Sequence, residues 1–313
     1  MSGFRVLAPG MLSLIQDGGR FGRHDIGLTT GGPLDRLAMS WANRLLGNRA
    51  ETSAIEASFG GLKLEVDIHT QICVTGGDQP LSINGEERAG WRSHCVNPGD
   101  QIEMGFARQF CRSYLAVSGG FDIEPSFGST ATVVREGVGG LRGEKLARDD
   151  YLPAVENTDK LCLALPAAAR PRYSRDVMLR VIPGYQHLHF PKLELQRLFS
   201  SEYRVTDRAD RMGYRLEGPA IHCELDRLLS EGICMGAIQV PADGQPIVLL
   251  KDRQTIGGYP KVGSALSMDT AQLAQQMPGA SARFRRISAH EADNVFHLVR
   301  SQYHRQEPEP VRD

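Results

Sequence analysis

The chain has 313 residues, enough for two domains rather than one small core. Its 36 basic and 37 acidic residues leave a net charge of −1, which gives no basis for general affinity toward nucleic acid or acidic lipid. A hydrophobic content of 41% with 34 Gly and 17 Pro describes a folded, turn-rich protein, and no apolar run approaches the ~20 residues that a membrane-spanning helix needs.

The first residues lack a charged segment followed by a long apolar one, so they do not read as a secretory signal, and a cytoplasmic location is expected. Short strands are predicted over 4–7 and 12–15, separated by Pro9-Gly10 and followed by the polar turn Gln16-Asp17-Gly18-Gly19-Arg20-Phe21-Gly22. The spacing of Leu34, Leu37, Ala38, Trp41 and Leu45 predicts a helix over 33–46, with Pro33 at its first position and Gly47-Asn48 as its left-handed stop.

From 54 to 117 the pattern is β throughout. Leu62-Lys63-Leu64-Glu65-Val66 alternates with period two, Asn84-Gly85 and Asn97-Pro98-Gly99-Asp100 are turn sequences, and a further strand is predicted over 112–117. Short strands at this spacing indicate a barrel or sandwich rather than a parallel βαβ sheet. The glycine-rich run 137–143 lacks the Lys-Ser/Thr ending of a phosphate loop and the strand–glycine–helix context of a dinucleotide fingerprint, so it reads as a surface or site-lining loop.

Residues 153–176, rich in Pro and Ala, form the candidate linker. Beyond it the sequence predicts a strand over 177–182, a short helix containing Phe190, Leu193 and Leu198, and a polar turn over 210–215. A short helix over 271–277 and a closing strand over 282–287 follow. The last helix opens on the capping box Ser288-x-x-Glu291 and carries Ala292, Val295, Phe296, Val299 and Tyr303 on one face, enough to dock onto a core or a partner. The end, Glu307-Pro308-Glu309-Pro310, is expected to fray. These breaks suggest units over 1–165 and 166–290, with a helix and tail over 291–313. Both halves place a polar Gly/Arg turn before a Glu-led strand (Glu56; Glu231), a loose sign of two related β-rich units.

The chemistry concentrates in 231–263. Two apolar runs, 237–240 and 247–250, read as strands presenting the polar loop 252–261. Gln254 can donate and accept, Asp252 accepts, and Arg253 and Lys261 donate, a set that suits the planar N–H/C=O group of an amide, lactam or ureido ring. Lys261 or Arg253 could steady oxygen charge, and Asp252 could hold or remove a nitrogen proton. The bland reading is that Gly257-Gly258-Tyr259-Pro260 is only a tight connection. Asp17 and Arg20 flank the first glycine turn, whose geometry needs no charges, although such a pair can be a structural clamp. Asp35, near a helix start, is explained equally well by the helix dipole.

Other candidates are weaker. Nothing sequence-local activates Cys234, and Gly-x-Ser-x-Gly is absent. His187-x-His189 would put two rings on one strand face but lacks a third ligand, so no metal is expected. The six cysteines, Cys73, Cys95, Cys111, Cys162, Cys223 and Cys234, show no Cys-x-x-Cys spacing and read mostly as small buried hydrophobes.

The stretch GAIQVPADGQPIVLLKDRQTIGGYPKVG resembles the signature of the biotin-dependent carboxyltransferase family, also known as allophanate hydrolase subunit 2 or KipA-like proteins. The blocks IQDGGRFGRHDIG (15–27), GGPLDRLAMSWANRLLGN (31–48), SYLAVSGGFD (113–122) and DRMGYRLEGP (210–219) agree in order, and the resemblance covers about 4–290. It implies a mainly β chain with few helices and a cyclophilin-like β-barrel architecture. Members of comparable length resemble the C subunit of bacterial 5-oxoprolinase, which opens 5-oxoproline, a lactam, to L-glutamate with ATP hydrolysis. They work with a KipI-like B subunit and a LamB/YcsF-like A subunit. Other members help move a carboxyl group from carboxybiotin to urea, and KipA antagonises a KipI-like kinase inhibitor.

The resemblance therefore implies ATP for the complex, not necessarily on this chain. In the urea reading it implies biotin on another chain, since no Ala-Met-Lys-Met motif occurs here. The run Gly128-Ser129-Thr130-Ala131-Thr132-Val133 departs from the family's Gly-Ser-x-Ser-Thr run followed by Asp, so no role attaches to that Asp here. The expected catalytic residues are Asp17, Arg20, Asp252 and Lys261, with Asp210, Arg211, Gln239, Gln254 and Tyr259 binding a small amide substrate.

Overall fold

The computed structural model describes residues 2–225 and 228–312, so Met1 of the N-terminal segment and Asp313 of the tail lie outside the described residues. The chain forms two units. One comprises Met1–Arg23, Thr30–Tyr173 and Glu307–Asp313, the other His24–Thr29 and Ser174–Gln306.

The first unit contains β1 (Gly3–Pro9), β2 (Leu12–Gln16), β3 (Ala54–Ser58), β4 (Leu62–Val66), β5 (Thr70–Gly76) and β6 (Leu81–Ile83). It continues with β7 (Glu86–Arg88), β8 (Ser93–Val96), β9 (Gln101–Met104), β10 (Arg112–Val117), β11 (Tyr151–Pro153) and β12 (Cys162–Ala164). One sheet runs β11-β1-β4-β9-β6-β7 and a second β2-β3-β10-β5-β8. Their facing side chains, among them Phe4, Val6, Leu64, Ile55, Ile72 and Leu115, merge into one core. Burying each such side chain stabilises by about 1.5–3 kcal/mol relative to exposure. The β6–β7 hairpin turns on Asn84-Gly85, both at positive φ, as the sequence predicts.

Helix α1 (Arg36–Arg44) begins three residues later than the Pro33 start that the sequence suggests. Two N–H groups explain the delay. Leu34 donates to Glu56 Oε2 at 2.9 Å and Asp35 to Tyr114 Oη at 2.7 Å, so the backbone before Arg36 is committed to a buried Glu–Tyr pair. Asp35 is the N-cap: its Oδ1 accepts the Ala38 N–H at 3.1 Å. Burial, followed by the Glu56 and Asp35 charges, pushes the Tyr114 hydroxyl well above its usual pKa.

The second unit is built on β13 (Asp176–Pro183), β14 (Glu202–Ala209), β15 (Gly213–Glu217), β16 (Glu231–Gly232) and β17 (Ala237–Gln239). To these it adds β18 (Ile247–Leu249), β19 (Ile256–Gly257), β20 (Lys261–Ala265) and β21 (Ser281–Arg286). Seven strands close into a barrel in the order β13-β20-β17-β18-β15-β14-β21, which removes free sheet edges, while β16 and β19 form a separate two-stranded ribbon. Helices α2 (Lys192–Ser200), α3 (Ser267–Ala274) and α4 (Ala289–Arg305) complete the unit. The chain is thus mainly β, with four α-helices among the described residues and a seven-stranded barrel.

The first unit extends to Tyr173, past the suggested break at 165, and takes in a 3-10 turn at Ala167–Ala169. The tail does not fray as expected. It forms β22 (Glu309–Val311), paired antiparallel with β12, and the Arg92 guanidinium donates to the Arg312 carbonyl at 2.7 Å. Pro310 is tolerated because an edge strand need not donate at every residue. On α4 only Ala292 of the apolar face is buried, while Phe296 and Leu298 are 49% and 61% exposed. No helix among the described residues is long and apolar enough to cross a membrane.

Candidate functional site

Strand alternation decides which side chains meet. Ile238 of β17 is fully buried, whereas its neighbour Ala237 clusters with Ile233, Leu249 and Ile247. With a period of two, Gln239 shares the face of Ala237. Gln239 stands opposite Ile247 of β18 and Lys261 of β20, so Gln239 and Lys261 are cross-strand neighbours. The β16–β19 ribbon, with Glu231 opposite Gly257, covers this face. A Cβ on Gly257 would lie 3.0 Å from Gln239 Nε2 and 2.6 Å from Ile233 Cδ1. Any side chain at this position would require Ile233 and Gln239 to shift.

Around that contact lies a polar assembly. The Lys261 ammonium pairs with Glu231 Oε1, to which Gln186 Nε2 also donates at 2.5 Å, and the Tyr185 hydroxyl donates to Glu231 Oε2. Gln186 Oε1 accepts the Lys261 backbone N–H at 2.7 Å. Gln239 is 5% exposed, and its Nε2 makes no hydrogen bond within the described residues. An unsatisfied buried donor of this kind costs about 1–3 kcal/mol. The Glu231 side chain, 29% exposed, forms the open side.

Arg211 and Asp252 form a second group. Both are buried, with Arg211 Nε donating to Asp252 Oδ2 at 2.8 Å and Nη2 to Oδ1 at 2.9 Å. The Asp252 N–H donates to the Arg211 carbonyl at 2.9 Å. Asp252 therefore uses both oxygens to hold an arginine, where the sequence suggests that it handles an amide proton. Arg253, read as a possible oxyanion donor, instead donates from Nε to the Ile233 carbonyl at 3.1 Å and from Nη1 to the Leu250 carbonyl at 3.3 Å. Burial lowers its pKa, while Cys234 and Asp252 nearby raise it. Asp210 is exposed, and its Oδ1 accepts the Met212 and Gly213 N–H groups at 2.7 and 3.2 Å, a turn-forming role. Gln254 and Tyr259 are exposed on the 252–261 loop.

Asp17 and Arg20 belong to the first unit. Asp17 Oδ1 accepts from the Gly19 N–H at 2.9 Å and the Ser129 hydroxyl at 2.5 Å, and Oδ2 accepts from the Thr130 N–H at 2.7 Å. Arg20 is fully buried and donates to the carbonyls of Ser126, Ser129 and Ala131 at 2.9, 3.3 and 3.1 Å. Together they brace 126–131, which overlaps the 128–133 run that departs from the family pattern. In the glycine-rich loop, the N–H groups of Gly137, Val138, Gly140 and Gly143 donate to Val134, Val133, Thr130 and Gly139 carbonyls. A phosphate cradle needs N–H groups aimed outward, and these four are turned inward.

His187 and His189 lie on a 3-10 helix, Tyr185–His189, instead of the strand suggested by their spacing, and the His187 Nδ1 meets the Gly184 carbonyl at 2.6 Å. Among the described residues no group of three or more His, Cys, Asp or Glu side chains could hold a metal ion. Cys234 is exposed and contacts Ser264 Oγ at 2.9 Å.

The residues that sequence reasoning misses are Tyr185, Gln186 and Glu231. Glu231 opens the key stretch but reads as the start of a strand, and Gln186 lies 45 residues upstream of it. Their one local signal is a pair of polar side chains directly after Pro183-Gly184, where a strand breaks off beside the histidines.

The profile of the family described as "Carboxyltransferase domain, subdomain A and B" matches residues 26–286. This chain belongs to that family. It is 34% identical over 290 residues to the 5-oxoprolinase C subunit of Escherichia coli (strain K12), covering 92% of each chain. It is 33% identical over 279 residues to the 5-oxoprolinase C subunit of Haemophilus influenzae, covering 89% of each. The crystal structure of the K. lactis urea amidolyase superposes with a TM-score of 0.90 at 26% identity over 98% of this chain, which corresponds to only 20% of that one. The mainly β chain with few helices and a β-barrel expected from the sequence is the fold observed.

Proposed function

We propose that this chain is the C component of a 5-oxoprolinase-type complex, opening the 5-oxoproline lactam to L-glutamate with partner proteins. The observation that carries the reading is the buried, unpaired Gln239 Nε2 beside the Lys261–Glu231 ion pair. A lactam offers one carbonyl oxygen and one N–H in a plane. Gln239 Nε2 donates to the carbonyl oxygen, and the Lys261 ammonium carries the negative charge that grows there as the ring opens. Glu231, open on one side, holds the amide proton, and Gln186 and Tyr185 fix its orientation. In this reading Asp252 with Arg211 shapes the loop that presents the site, and Asp17 with Arg20 supports catalysis by bracing 126–131. Near-full-length identity to two proteins named as the C subunit of 5-oxoprolinase supports the assignment. ATP is used by the complex, not necessarily by this chain, and four N–H groups of the 137–143 loop are committed internally. The partners are a KipI-like B component and a LamB/YcsF-like A component.

The test is reconstitution with the KipI-like and LamB/YcsF-like proteins from the same source, following glutamate formation from 5-oxoproline. Glutamate formed by the three proteins, and lost with Lys261→Ala, supports the reading. Turnover that is equally fast without this chain sinks it. The likeness to urea amidolyase favours a second reading, carboxyl transfer to a urea-like acceptor with biotin on another chain. Bicarbonate-dependent, avidin-sensitive turnover of urea would select that reading.

A further inference from the structure

The candidate site leaves one pair of neighbouring thiols unused. Cys95 on β8 and Cys162 on β12 are 67 residues apart in sequence, yet their sulfurs are 3.8 Å apart. A disulfide bond is about 2.05 Å long, so about 1.8 Å of approach separates this contact from a covalent link. The two thiols differ in access. Cys95 is partly exposed, whereas Cys162 is fully buried. Gln71 Nε2 lies 3.8 Å from Cys95 Sγ, within reach of a sulfur-centred anion, and also donates to the carbonyls of Asp159 and Leu161 at 2.9 and 3.1 Å. Residues 155–161 leading into Cys162 are in neither helix nor strand and are mostly exposed. Such a segment opens more easily than packed strands and can supply the missing approach.

The position gives the pair a consequence. β8 is the edge strand of its sheet, and β12 lies beside it: Arg92 bridges Ala164, and the Leu163 N–H donates to Ser93 Oγ at 2.8 Å. β12 in turn is the strand on which the C-terminal β22 docks, with Cys162 opposite Val311.

We propose that Cys95 and Cys162 form a peroxide-sensitive dithiol whose disulfide staples the docking strand of the C-terminal tail to the sheet edge. Cys95, the accessible thiol, attacks the O–O bond of a peroxide, giving a Cys95 sulfenic acid and an alcohol or water. The Cys162 sulfur then attacks Cys95 Sγ, forming the S–S bond, and the sulfenic hydroxyl leaves with the Cys162 proton as water. Both thiols are oxidised by two electrons in total, and the peroxide is reduced by two. Excess thiol reverses the reaction by exchange.

The full-length, fully reduced protein is treated with hydrogen peroxide, alkylated and mapped by mass spectrometry without reduction. The expected result is a fall in free thiols from six to four, with one peptide pair joining Cys95 to Cys162, reversed by dithiothreitol. Hydrogen exchange at the Glu309 and Val311 amides should slow at least several-fold on oxidation. In Cys162→Ser, dimedone should label Cys95, showing the sulfenic intermediate. A disulfide between any other pair overturns the proposal. So does wild-type Cys95 recovered as sulfinic acid with Cys162 still a thiol, or a tail whose exchange is unchanged once the bond has formed. The wild-type arms require no substitution, so a variant that fails to fold cannot rescue or sink the idea.

Discussion

Lys261 and Glu231 form an ion pair between β20 of the barrel and the ribbon that covers it, 30 residues apart in sequence. Gln186 and Tyr185 hold the same carboxylate from a third element. A buried cation is tolerable only when it is paired and hydrogen-bonded, and here the pairing places it next to the unpaired amide of Gln239.

Lys261→Ala should lower kcat of the reconstituted complex by about 100-fold or more, the range seen when a charge-stabilising donor is removed. Lys261→Arg should restore little, because a planar guanidinium cannot replace a compact ammonium in an enclosed site. A retained thermal melt with lost turnover is the expected pair of results. Turnover within about threefold of wild type would remove Lys261 from the site.

Gln239→Leu separates function from stability. It removes a buried donor that has no partner within the described residues, so the folded state should hold its stability or gain up to about 1–3 kcal/mol in urea unfolding. Activity should fall at the same time, by about 10-fold or more if the lost bond is to a reacting carbonyl. A variant that is destabilised instead would show that the amide has a structural partner.

Asp252→Ala should be among the most damaging changes in the second unit. It leaves the buried Arg211 guanidinium without its bidentate acceptor, at a cost of about 3–5 kcal/mol. The double change Arg211→Met with Asp252→Leu should be much milder, because no charge is then stranded. Denaturant midpoints of the single and double variants measure the difference.

The start of α4 should be sensitive to acid. Ser288 Oγ accepts the Glu291 N–H at 3.1 Å, and Glu291 Oε2 accepts the Ser288 N–H at 2.7 Å, which holds the Glu291 carboxyl below its usual pKa of 4.5. A lowered folded value means that the stabilisation is complete above that pH and disappears as the pH falls through the folded value. The protection of the first-turn amides of α4, taken as exchange relative to the intrinsic rate at each pH, should therefore fall on going from about pH 6 to below about 4, and Glu291→Gln should abolish that fall. Ser288→Ala should cost about 1 kcal/mol at either pH.

Much of the fold is legible from local pattern. The period-two strand at β4, the Asn84-Gly85 hairpin, the Ser288–Glu291 box and the turn at Asp210 follow from contacts within a few residues, which a sequence displays directly. Where distant partners decide, local reading fails. The start of α1 is set by Glu56 and Tyr114, and the tail is ordered by pairing with β12, far upstream in the chain. Asp17 shows the mixed case: its charge next to glycines is visible in the sequence, but its partners at Ser129 and Thr130 are not.

Periodicity, turn residues and long motifs in order suffice to give the family, the mainly β character and the stretch that carries the chemistry. What each polar side chain does emerges only once the barrel has closed. Asp252 and Lys261 lie nine residues apart in sequence, yet one is locked to Arg211 and the other to Glu231. A charge taken out of water must find its counter-charge wherever the fold supplies one, and closure brings those partners from strands and turns that the local sequence does not connect.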